Sequence, residues 1–243
     1  MASSIEGSKS IVMDGLVLYV DAANPRCYTP SDTTLKELTE VNTGNLIAGV
    51  GYSSANLGAW TFDGTDDYID LGTRLPSLGL TYPMSIDIWF KPTSLLITDV
   101  KGIFAGAVNP TNTVYLGFGI NLSIPAYTIE AIIGDGAGAG STNRRSLLTT
   151  QSVNAGAWNH VVATASVGPV FEVYINSVLA SGTTSGSGAS LSWGANATAQ
   201  IASYAGFPNE LSGSVASVKY YNKKLSASEV LQNHNSGRYR FGL

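Results

Sequence analysis

The sequence predicts an all-β fold, two antiparallel sheets packed as a sandwich with one short helix at the C-terminal end. Short apolar or alternating runs recur between clusters of Gly, Pro, Asn and Ser, the spacing of a sandwich rather than of strands alternating with helices. One hairpin, Trp158 to Asn176, can be read residue by residue. A single stretch carries a helix-capping signature, and it lies near the end of the chain.

In chain order the expected strands are Leu16 to Val20, Ala59 to Phe62, Tyr68 to Leu71, Met84 to Lys91, Gly102 to Ala107 and Val114 to Ile120. Tyr127 to Ile133, Ser146 to Thr150, Trp158 to Ala165, Val170 to Asn176, Val178 to Ala180, Ala199 to Ser203 and Gly213 to Tyr221 follow. In the hairpin, two β-rich runs flank Ser166, Val167, Gly168 and Pro169. Phe171, Val173 and Ile175 project to one face by the two-residue period, and Val170, Glu172 and Tyr174 to the other, so one of these faces is core. Pro169 cannot donate to a ladder and marks the turn.

The helix begins at Ser226, which forms a Ser-x-x-Glu capping box with Glu229, while Leu225 and Val230 have the spacing of a hydrophobic staple. Gly237 is its expected stop. No linker composition interrupts the strands, which predicts one domain from residue 11 to residue 243 behind a polar arm, Met1 to Ser10.

At 243 residues with 44% hydrophobic content the chain can bury a sizeable core. Charged residues make up only 12%, about half the usual share, so Ser, Thr, Asn, Gly and Ala must form much of the surface. Such a surface is cheap to desolvate and suits packing against copies of itself or another protein. A net charge of -4 gives no basis for a nucleic-acid partner. The pairs Arg144, Arg145 and Arg238, Arg240 read as solvated surface. The single cysteine, Cys27, cannot form an intrachain disulfide. His160 and His234 are too few for a histidine-rich metal site. Met1 to Ser10 lacks the pattern of a secretory signal, and no run is long enough for a membrane span. These features predict a chain made in the cytoplasm without a signal peptide and with no membrane partner.

Two glycine-rich stretches read as surface loops. Gly134 to Ala139 loosely fits a dinucleotide fingerprint, but Ser141 to Arg145 follows it instead of a helix with an apolar face. Ser181 to Ser190, rich in Gly, Ser and Thr, reads as a flexible excursion.

Three segments resemble the laminin-G-like branch of the concanavalin A-like lectin/glucanase superfamily. Trp60 to Asp70 is similar to that family's Phe-Asp-Gly-x-x-Asp-Tyr strand pair. Trp158-Asn-His-Val-Val followed by Val173 to Asn176 is similar to its Trp-x-His-Val and Tyr-x-Asp-Gly hairpin, although Ser177 stands where the family usually has glycine. Gly213 to Asn222, with Leu225, Ser226, Glu229 and Val230, is similar to its terminal strand and helix. The resemblance implies a jelly-roll β-sandwich. The opening, Asp14 to Pro25, resembles the start of such domains in bacteriophage and other viral structural proteins.

From this resemblance and the low charge, the expected function is a non-catalytic virion structural or accessory protein, a capsid decoration, spike or tail adhesin. It would dock on other virion structural proteins as a homo-oligomer or part of a larger assembly, with a host surface glycan as a further partner. The alternative is a carbohydrate-binding lectin domain, and a glycan-active hydrolase comes third. Hydrolysis needs two carboxylates across a bond, and hydrolases of this fold carry Glu-x-Asp-x-Glu or a near variant on one strand; no such string occurs here. Glu130 and Glu172 each stand alone and read as solvent-facing. His160 reads as structural, and no Gly-x-Ser-x-Gly elbow is present.

Asp63, Asp66, Asp67 and Asp70 offer hard oxygen ligands for calcium in one turn-rich segment. The same residues also suit a tight turn held by side-chain to backbone hydrogen bonds. Sugar binding needs an exposed aromatic platform with polar neighbours, and Trp193, Tyr204, Phe207 and Asn209 are the loop residues that could supply one. Trp60, Trp89 and Trp158 lie within strands and are assigned to the core.

Overall fold

Strands form where apolar and polar residues alternate, and the computed structural model describes them within residues 10–39, 42–93, 99–109, 114–123, 126–203 and 209–243. In chain order they are β1 (Leu16–Asp21), β2 (Thr34–Lys36), β3 (Thr43–Ile47), β4 (Gly51–Ser53), β5 (Ala59–Asp63) and β6 (Tyr68–Asp70). After a single turn of helix, α1 (Arg74–Ser77), come β7 (Met84–Pro92), β8 (Lys101–Val108), β9 (Leu116–Ser123), β10 (Thr128–Asp135) and β11 (Arg144–Ser152). The series continues with β12 (Asn159–Ser166), β13 (Val170–Ile175), β14 (Val178–Ala180), β15 (Gly182–Ser185), β16 (Thr198–Ile201) and β17 (Ser212–Tyr221), and α2 (Ala227–Gly237) follows.

The strands form two antiparallel sheets. One runs β14-β13-β12-β7-β17-β5-β4, with β1 also paired to β17; the other runs β15-β11-β10-β9-β8-β16-β6-β3-β2. Ile86, Ile88, Phe90, Val218 and Tyr220 of the first sheet meet Phe104, Phe118, Ile120 and Ile133 of the second in one buried core. The alternate residues of β7 and β17 therefore face away from that core, and α2 covers them.

Both faces of the β12–β13 hairpin follow the two-residue period, with Phe171 and Val173 in the core and Tyr174 packed under α2 with Leu225 and Val230. The capping box at Ser226 and Glu229 is complete. The chain departs from expectation after the helix. Gly237 does not turn it away, since its φ is -105°, and a 3-10 turn continues over Arg238–Phe241 before Gly242 takes the left-handed conformation at φ 73°. A Cβ at Gly237 would lie 2.6 Å from Trp89 Nε1, so glycine serves close packing here.

Two further expectations are corrected. Within Ser181 to Ser190, residues Gly182–Ser185 form the edge strand β15 against β11. Arg144 is not simply solvated, because its guanidinium donates to Tyr115 Oη at 2.7 Å and lies over that ring. Gly134 and Asp135 end β10, and Gly136 to Ala139 open the β10–β11 connection, which is tied by Asp135 N–H to Asn143 O at 3.0 Å and by Ala137 N–H to Asp135 Oδ1 at 2.8 Å. The arm Met1 to Ser10 lies outside the described residues except for Ser10, whose carbonyl accepts from Gln232.

Candidate functional site

The register of β12, β7, β17 and β1 builds two transverse rows on the outward face of the first sheet. One row is Val162, Asp87, Lys219 and Tyr19, and the next is His160, Trp89, Ser217 and Asp21. These positions bring together charged and aromatic residues that are far apart in sequence.

Asp87 lies at the centre of the first row and is fully buried. Lys219 Nζ sits 2.9 Å from its Oδ1, and His160 Nε2 sits 3.1 Å from its Oδ2. Asn233 of α2 donates to Oδ2 at 2.8 Å and to Tyr221 Oη at 3.0 Å. Tyr221 donates in turn to Val12 O, and Val12 N–H donates to Asn233 Oδ1. Burial alone would raise the Asp87 pKa, but Lys219 and His160 outweigh it and hold the carboxyl far below the usual carboxylate range.

Trp89 is stacked on several sides. His160, His234 and Phe241 lie with ring centroids 4.8, 5.5 and 4.5 Å away, and Trp158 packs against Phe241 at 4.5 Å. Burial, aided by His160 and Arg238, pushes His234 down to about 4. Beside this stack a cleft of about 490 Å³ opens, lined among others by Tyr19, Asp21, Asn24, Trp89, Lys219 and Arg240. Its polar groups are held in place. Arg240 pairs with Asp21 at 2.8 Å and donates to the carbonyls of Asn56 and Gly58. Tyr19 donates to Asp21 Oδ2 at 3.0 Å. Burial, with Asp21 close by, raises the Tyr19 hydroxyl pKa far above its ordinary value. A second cleft, about 590 Å³, is lined by Arg26, Lys36, Glu37, Thr39 and Asn42 with other residues, and no aromatic side chain is among its described lining.

The expected metal ligands divide. Carboxylate oxygens of Asp63, Asp66 and Asp67 lie within 4.8 Å of one another. Two of these residues are engaged by the turn itself, for Asp63 N–H donates to Asp67 Oδ2 and Thr65 N–H to Asp63 Oδ1. Burial raises the Asp67 pKa; the hydrogen bond from Asp63 N–H opposes that rise, and the Asp63 and Asp66 carboxylates add to it. Asp70 lies apart on β6, accepting from Gly72 N–H at 2.7 Å.

Trp193, expected in an exposed aromatic platform, is packed into the protein instead. That residue is only 8% exposed, and its Nε1 donates to Leu80 O at 2.7 Å. Its ring fills a slot left by two glycines; a Cβ at Gly106 or Gly117 would lie 3.2 or 2.9 Å from Trp193 Cζ3. Asn209 is half-buried, with its carbonyl accepting from Gly102 N–H. Tyr204 and Phe207 lie outside the described residues. Neither glutamate singled out in the strands simply faces water, because Glu130 accepts from Asn121 and Glu172 accepts from Tyr174 and Lys224.

Sequence reasoning missed the Asp87 cluster and the cleft beside it. The available signal was Asp87 and Lys219, each set among apolar residues in a β-rich run, where an unpaired charge would be costly.

The laminin-G-like family model described as the concanavalin A-like lectin/glucanases superfamily matches residues 63–231. No curated protein matches the chain. Among solved structures, Trypanosoma rangeli sialidase in complex with sialic acid is similar at TM-score 0.63 and 14% identity over 93% of this chain and 33% of that one. The chain thus spans about a third of the sialidase's length. The receptor binding domain of botulinum neurotoxin C/D mosaic serotype is similar at TM-score 0.64 and 15% identity, covering 90% of this chain and 51% of that one. Domain 4 of AbnA, a GH43 extracellular arabinanase from Geobacillus stearothermophilus in complex with arabinotriose, is similar at TM-score 0.61 and 17% identity over 91% of this chain and 98% of that one.

Proposed function

Because the chain belongs to the concanavalin A-like lectin/glucanases superfamily, we propose that it is a non-catalytic binding module that takes a saccharide in the cleft between its first sheet and its C-terminal segment. The observation that carries this reading is the composition of that cleft, where the partly exposed Tyr19, Asp21, Asn24 and Arg240 lie beside the buried Trp89, Lys219 and Phe241. Sugar sites combine apolar ring faces with a few fixed polar groups, in volumes of about 300–1,000 Å³. Here the polar groups are fixed by Asp21 contacts to Arg240 and Tyr19, which lowers the ordering cost on binding.

The same geometry argues against hydrolysis. A general acid must hold a proton near the working pH, whereas Asp87 is sealed and held ionised by Lys219 and His160. Asp21 is already occupied as an acceptor by Arg240, Tyr19 and Ala23 N–H. His160 lies beside an aspartate, but among the described residues no hydroxyl or thiol is hydrogen-bonded to either ring nitrogen, so His160 has no nucleophile to activate there.

A glycan array followed by titration calorimetry tests the proposal. Wild-type chain is expected to bind a saccharide without releasing sugar from it. Ala23→Trp, which puts a bulky ring on the partly exposed lining of the cleft, is expected to abolish binding with the melting temperature unchanged. Binding that survives Ala23→Trp, or sugar release by wild type, overturns the reading.

A second reading, favoured by the 12% charged content, is a virion structural or accessory role as capsid decoration, spike or tail adhesin. Low-charge faces bury at small desolvation cost against neighbouring subunits. Co-sedimentation with assembled particles supports that role, and its absence refutes it.

A further inference from the structure

The two sheets end side by side at one lateral edge of the sandwich, where β14 closes the first and β15 the second. The chain passes from one to the other through Ser181 alone. Every residue from Ser181 to Ser185 is exposed, and so are Val178 and Leu179, at 68% and 54%.

Exposed strand edges template pairing with other chains, and folded proteins guard them with charges, prolines or bulges. This edge carries none of these, although at four residues β15 is itself short. From Val173 to Asn209 the sequence contains no Asp, Glu, Lys, Arg or His, and Val178 to Ser185 contains no proline. No register shift interrupts the β11–β15 pairing. The opposite edge of the same sheet differs, since β2 carries Lys36 and is flanked by Asp32 and Glu37.

The direction of the free peptide groups follows from the ladder. Ser181 O accepts from Thr150 N–H at 2.8 Å, so Ser181, Thr183 and Ser185 direct their peptide groups to β11. By strand alternation Gly182 and Thr184 direct theirs outward. We propose that β15 is a self-association edge, at which two copies of this chain pair antiparallel across a two-fold axis, Gly182 of one against Thr184 of the other. The two outward residues exchange both N–H···O bonds in each of two symmetry-related pairs, giving a closed, isologous contact. Thr183 then faces its own copy at the axis, in a non-hydrogen-bonded position with Cα atoms about 4.5 Å apart. The absence of charge is what lets identical edges approach, because a like charge on a two-fold axis would meet itself. The inference rests on the edge alone and is independent of the saccharide reading.

That separation falls within disulfide reach, about 4.4–6.8 Å, which gives a direct test. In the full chain, Thr183→Cys with oxidised glutathione is expected to yield an interchain disulfide, two thiols being oxidised as one glutathione disulfide is reduced to two thiols. Thr34→Cys on the β2 edge is the control. Cys27 is buried and does not compete. Sedimentation of the wild type over a dilution series is expected to show a monomer–dimer equilibrium. Thr184→Pro, which removes an outward N–H without breaking the β11 ladder, is expected to weaken it at least tenfold at unchanged melting temperature. Thr184→Lys serves the same purpose if the proline variant does not fold. A wild type that stays monomeric throughout, a Thr183→Cys yield no greater than the Thr34→Cys yield, or a dimer unaffected by both Thr184 variants overturns the proposal. A monomer that accepts only a strand of another protein also overturns it.

Discussion

Lys219 Nζ lies 2.9 Å from Asp87 Oδ1, with side-chain exposures of 4% and 0%. Two ions taken out of water persist only when their geometry is good and their remaining valences are filled; here His160 and Asn233 occupy the second Asp87 oxygen. Lys219→Met leaves the carboxylate without its main counter-charge and is expected to cost about 3–5 kcal/mol in denaturant unfolding. Asp87→Asn combined with Lys219→Met is expected to recover part of that loss. A single variant as stable as wild type would show that the pair contributes nothing.

The pH dependence follows from the same cluster. His234 is held neutral, its pKa pushed down from 6.5 to about 4 by burial, His160 and Arg238. Its contribution to stability is complete above pH 6.5 and is lost as pH falls towards 4, at up to about 1.4 kcal/mol per pH unit. Asp87, depressed by Lys219 and His160, contributes above the ordinary carboxylate pKa and loses that contribution only at more acid pH. Melting curves from pH 7 to 4 are therefore expected to fall for the wild type and to flatten for His234→Gln. Parallel curves would contradict the assignment.

The hairpin turn offers an independent test. Asn176 and Ser177 have φ of 50° and 68°, both left-handed as a type I′ turn requires. Asn176 also accepts His160 N–H through its Oδ1 at 2.9 Å, which explains an asparagine at that position. Ser177 makes no comparable side-chain hydrogen bond among the described residues, so Ser177→Gly is expected to stabilise the chain by about 1 kcal/mol. A lower melting temperature would refute this reading of the turn.

At the aspartate cluster, the hydrogen bonds from Asp63 N–H to Asp67 and from Thr65 N–H to Asp63 support a turn-holding role. Asp67→Ala is expected to cost about 1 kcal/mol, and added calcium to leave the melting temperature unchanged. A calcium-dependent rise that Asp66→Asn abolishes would mark a metal site instead.

The sandwich was legible where local chemistry repeats. The alternation in β12 and β13 and the Ser226–Glu229 box each encode one element within a few residues. β2 and β4, three residues each, are too short to show a period. β15, Gly-Thr-Thr-Ser, has no apolar residue to announce a strand and is held by its ladder to β11. Trp193 misled because its partners Gly106, Gly117 and Leu80 are remote in sequence. The cleft was invisible for the same reason, since Tyr19, Trp89, Lys219 and Arg240 meet only through sheet register and the path of the C-terminal segment.

The most direct measurement of the saccharide reading uses the four tryptophan indole N–H signals of the wild-type chain in a nitrogen–proton correlation spectrum. Trp89 lines the cleft, while Trp60 and Trp193 lie in the core between the sheets. On titration with an array-selected saccharide, the Trp89 signal is expected to shift saturably while those of Trp60 and Trp193 stay in place. A bound saccharide that leaves Trp89 unmoved would contradict the proposed site.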